Sequence, residues 1–79
     1  MKITISRSEG DRREVGNVVC FEGRTIANDR VTVEVSREAW DRILVDWHRD
    51  PVAQLEEMSR DPRSHWAHFK AGKVWRLYL

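Results

Sequence analysis

The segment from Arg30 to Trp47 leaves this chain little choice of fold. Arg30-Val31-Thr32-Val33-Glu34-Val35 alternates polar and apolar residues, the pattern of a strand with one buried face. Directly after it, Trp40, Ile43, Leu44 and Trp47 recur at i, i+3, i+4, i+7. That spacing predicts a helix over about Arg37 to His48 that buries one stripe. Ser36 stands at the junction, where its hydroxyl accepts from the first free N–H groups of the helix. A strand that runs into an amphipathic helix through one capping residue forms the centre of a layered domain.

With 79 residues there is room for one core, so residues 1–79 read as a single domain. Four tryptophans suit so short a chain, because each large aromatic buries roughly 150–250 Å². The remaining elements follow from local chemistry. Lys2 to Ser6 reads as a first strand, the charged stretch Arg7 to Gly16 as a loop, and Asn17 to Glu22 as a second strand. Turn residues over Glu22 to Asp29 predict an antiparallel hairpin between that strand and Arg30 to Val35.

Arg49-Asp50-Pro51 and Arg60-Asp61-Pro62 repeat one tripeptide eleven residues apart. Asp before Pro caps a new helix while the proline stops the one before it, so the first copy starts a second helix, Pro51 to about Ser59. On it Val52, Leu55 and Met58 face inward and Glu56-Glu57 outward. Residues 62–71 allow a third short helix or the first half of a hairpin closed by Lys70-Ala71-Gly72, with the hairpin favoured. Val74 to Leu79 is a strand. The expected class is α+β: a small antiparallel sheet of three N-terminal strands plus a C-terminal strand or hairpin, with two helices, or three, packed on one face.

Charge is uneven along the chain although the net is +1. Residues 31–61 carry a net −4, whereas residues 62–79 hold Arg63, Lys70, Lys73 and Arg76 with no acid. No stretch approaches the roughly 20 apolar residues that span a bilayer, so no membrane is expected. The N-terminal residues lack the apolar centre of a secretory signal, and a single cysteine, Cys20, fits a reducing compartment; the expected location is cytoplasmic.

Catalytic chemistry finds no support in the sequence. Cys20 lies mid-strand between Val19 and Phe21, Glu56-Glu57 are neighbours on a solvated helix face, and no glycine-rich phosphate loop or Gly-x-Ser-x-Gly elbow is present. His65 and His68 would share a face on a helix but not on a strand, and they have no cysteine set beside them. No enzyme activity, cofactor or metal is expected. The interleaved basic and aromatic residues Trp66, Lys70, Lys73, Trp75 and Arg76 are the expected partner contacts, with Arg12 and Arg13 second. Tryptophan and arginine dominate interface energetics, which favours a protein partner, with pairing to a second copy as a homodimer among the options. The alternative is a single-stranded nucleic acid, bases stacking on the aromatics beside phosphate contacts. Small α+β domains are frequent among bacterial and phage accessory proteins, inhibitors of host defence included, and the chain's size and lack of motifs give an analogy with that class and nothing more specific.

Overall fold

The computed structural model describes residues 3–46, 50–61 and 65–78. Its strands are β1 (Ile3–Ile5), β2 (Arg12–Val15), β3 (Val18–Thr25), β4 (Arg30–Ser36), β5 (His65–Phe69) and β6 (Val74–Tyr78). Its helices are α1 (Arg37–Asp46) and α2 (Pro51–Arg60). The fold is α+β, as the sequence predicts, but the sheet is mixed. Its order is β1-β3-β4-β6-β5, and β2 pairs with β3 alongside β1. β6 runs parallel to β4, with Val33 opposite Trp75. The physical reason is the connection: α1, α2 and β5 together make the crossover that a parallel pair requires.

β2 is a fourth N-terminal strand within the stretch expected to be loop. It pairs with β3 from Arg12 opposite Phe21 to Val15 opposite Val18. The two strands are joined by Gly16-Asn17, Gly16 taking a φ of 59° that glycine adopts without a Cβ clash. The hairpin form of residues 65–78 is the one observed. Its turn is longer than a three-residue loop, with Lys70, Ala71 and Gly72 all at positive φ (52°, 58° and 81°).

One face of the sheet is packed by the helices. Ser36 Oγ accepts from Ala39 N at 3.2 Å and so caps α1, while Asp50 accepts from Ala53 N at 3.1 Å and caps α2 behind Pro51. Trp40 stacks at a tilt on Phe21, ring centroids 5.1 Å apart, in a core with Ile43, Leu55, Val33 and Trp75. The buried stripe of α1 is Ala39, Trp40 and Ile43; Leu44, expected inside, is 38% exposed. Trp47 and His48 lie outside the described residues. On α2 Leu55 is buried, with Val52 and Met58 packed against the core.

Glu56 does not face away as expected. Its Oε2 accepts from Ile5 N at 2.8 Å, and Ser59 Oγ accepts from Ile3 N at 3.2 Å. α2 therefore satisfies the outward N–H groups of the edge strand β1, which would otherwise offer pairing sites. Arg7 reinforces this seam, reaching Asp50 Oδ1 at 2.6 Å and Glu56 Oε1 at 3.2 Å.

Two outcomes follow from this packing. Trp40→Ala leaves a large void and is expected to cost about 3–5 kcal/mol in urea unfolding, whereas Leu44→Ala costs less than about 1; equal losses would place the stripe elsewhere. The second concerns acid. The Arg7 hydrogen bond, followed by the Ala53 N–H, holds the Asp50 carboxyl below its ordinary value. A lowered value adds stability that is complete above the free aspartate range of about 3.9 and is lost as pH falls through the folded value. Asp50→Asn should therefore unfold with a shallower loss of stability below about pH 4 than the parent chain does. Parallel acid profiles would remove Asp50 from the seam.

Candidate binding surface

Strand alternation sends every second side chain to one of two unlike faces. The packed face takes Ile3 and Ile5, Val19 and Phe21, Val31, Val33 and Val35, and Trp75 and Leu77, all buried. The residues between them form the other face, and α1 and α2 both lie on the packed side. On the open face Arg13, Cys20, Glu34, Arg76 and Ala67 stand in register across five strands. The next row is Glu22, Thr32, Val74 and Phe69, and beyond it Arg24 faces Arg30.

The residues expected to contact a partner divide between these faces. Trp75 is 2% exposed and belongs to the core, its Nε1–H donating to Gly72 O at 2.9 Å. Trp66 lies half-buried on the same side, edge-on to Trp75 at 6.0 Å, and donates to Met58 O at 3.2 Å. Arg12 also faces the packed side, its guanidinium 5.1 Å from the Trp40 ring and 5.8 Å from Phe21. It covers that aromatic pair from the solvent end. These three side chains serve the core. Arg13 and Arg76 remain on the open face, and Lys70 and Lys73 are exposed in the β5–β6 turn at its end.

The centre of the open face is an ion pair. Glu34 Oε1 accepts from Arg76 Nε at 2.9 Å and Nη2 at 2.7 Å. The Arg76 guanidinium lies 5.0 Å from the ring of Phe69, which is 40% exposed. Cys20 beside them is only 8% exposed; burial, then the Glu34 charge, pushes its thiol above the ordinary range, which disfavours the nucleophilic thiolate. Around this centre stand Arg13, Arg24 and Arg30 against Glu22. Among the described residues the helix layer has the opposite sign: Glu38, Asp41, Asp46, Asp50, Glu56, Glu57 and Asp61 against Arg37, Arg42 and Arg60. Arg24 and Arg30 were not singled out in the sequence. The polar half of the alternation in β3 and β4 carries them, and it names the open face once the apolar half is assigned to the core.

Because β5 is a strand, positions three apart do not share a face, so the helical chelating arrangement considered for His65 and His68 is not formed. The His65 side chain lies outside the described set, and His68 sits edge-on to Trp75 at 4.5 Å. Among the described residues, no group of three or more His, Cys, Asp or Glu is placed to hold a metal ion. None of the helices is long and apolar enough to cross a membrane among those residues. No protein-family model, curated protein or solved structure matches the chain.

Proposed function

We propose that this chain is a non-enzymatic protein-binding module, working in the cytoplasm, whose contact surface is the open face of the sheet and the β5–β6 turn. As an inhibitor would, it acts by occupying a surface of a larger partner. The observation that supports this reading is the sorting of charge between faces. The open face and its end bear Arg13, Arg24, Arg30, Arg76, Lys70 and Lys73 against Glu22 and Glu34, the latter paired with Arg76, while the helix layer is acidic. Such a face fits an acidic protein surface, steered by charge and seated on the less polar row at Val74, Thr32 and Phe69 beside the ion pair. A second reading, single-stranded nucleic acid, is favoured by one feature, the exposed Phe69 beside Arg76 with Lys70 and Lys73 adjacent.

Affinity capture with three proteins tests this: the parent chain, a face variant (Phe69→Ala, Lys70→Ala, Lys73→Ala) and a helix-layer variant (Asp41→Ala, Glu57→Ala). The expected result is a partner retained by the parent and the helix-layer variant and lost by the folded face variant, whether or not nuclease is added. Loss only in the helix-layer variant would place the contact surface on the wrong side. Capture abolished by nuclease, with binding that falls steeply as salt is added, would transfer the function to nucleic acid.

A further inference from the structure

One corner of the open face is a hollow of about 600 Å³, bounded by β1, the 3-10 turn Glu9–Asp11 and the facing ends of β3 and β4. Three arginines line it: Arg13, Arg24 and Arg30. They reach it from three different strands. Arg24 and Arg30 stand directly opposite each other on β3 and β4, an arrangement of like charges that costs stability in a sheet. Arg24 is held by its Nη1, which donates to Asn28 O at 3.3 Å and Oδ1 at 3.4 Å. The side chains of Arg13 and Arg30 make no hydrogen bond or ion pair among the described residues. Two acids also line the hollow, Glu22 and Asp11, whose carboxylate accepts from the Ser6 hydroxyl at 2.6 Å; against three arginines they leave the lining with a net positive charge.

We propose that this hollow binds a phosphate-bearing ligand, with Arg13, Arg24 and Arg30 taking the anionic group. A guanidinium is a planar fork of donors that matches phosphate oxygens two at a time, and it keeps its charge at any physiological pH. A doubly charged group between Arg24 and Arg30 turns their mutual repulsion into attraction for the ligand. The volume suits a small molecule rather than a bare ion. The site requires no protein partner, so it stands or falls separately from the contact surface proposed above.

The test is calorimetric titration of the full chain with sodium pyrophosphate at fixed ionic strength, repeated with Arg13→Gln and Arg30→Gln. The expected result is one saturable site, weakened on the order of tenfold or more in each variant, since a hydrogen bond to a charged group is lost. Arg13 lies on the exposed strand β2, so its variant keeps the measurement decisive if Arg30→Gln is poorly folded. No saturable heat, or binding undiminished in both folded variants, would overturn the proposal. A short oligonucleotide added as competitor identifies the source of the group. Displacement of pyrophosphate assigns the phosphate to a nucleic-acid strand, and failure to displace it assigns the site to a small phosphorylated molecule.

Discussion

The packing of Trp40, Ile43 and Leu55 onto the valine rows of β3 and β4 is the contact on which the other features of the molecule depend. It draws the two helices onto the same side of the sheet, and among the described residues no helix packs on the other. The core is correspondingly built from few, large side chains. Trp40 fills its centre, and the Arg12 guanidinium closes over the Trp40–Phe21 pair where the helix layer ends. The Trp40 Nε1–H is buried without a hydrogen-bond partner among the described residues, a cost set against the burial of the whole ring. One-sided burial then decides the chemistry of the rest. Residues facing the helices become apolar, and those facing water carry arginine, glutamate and threonine.

The same economy governs the edges. β1 is only three residues long, and α2 answers its free N–H groups with Glu56 and Ser59 rather than with another strand. This links the end of the helix layer to the start of the chain, with Arg7 bridging Asp50 and Glu56 across the seam. A carboxylate that bonds a backbone N–H and an arginine together holds its place better than an exposed ion pair alone. β1 and β2 share one edge of β3, and the hollow with three arginines lies where they part.

The strand-to-helix unit Arg30–Asp46 was legible because both of its periodicities are unbroken and Ser36 separates them. β2 was not, since Arg12-Arg13-Glu14 carries no apolar alternation and is exposed along its length. The pairing of β6 with β4 is a tertiary choice with no local signature. Leu44 was misplaced because the described end of α1 buries a narrow stripe, and the two residues after Ile43 turn outward. The contact residues divided for a simpler reason. Basic and aromatic residues interleaved along a strand look like one patch in sequence, but alternation separates them, so Trp75 enters the core while Arg76 faces water. Arg12 and Arg13 part in the same way.

What remains is a two-faced particle, acidic over its helices and basic over its bare sheet, which the net charge of +1 conceals. A partner or ligand can reach the basic surface only if the open face is open in solution. Nuclear magnetic resonance with a soluble paramagnetic agent measures this directly. The side-chain signals of Thr32, Val74 and Phe69 should be strongly broadened while those of Val33, Leu55 and Trp75 are spared. Equal protection of both sets would show the face covered and contradict it.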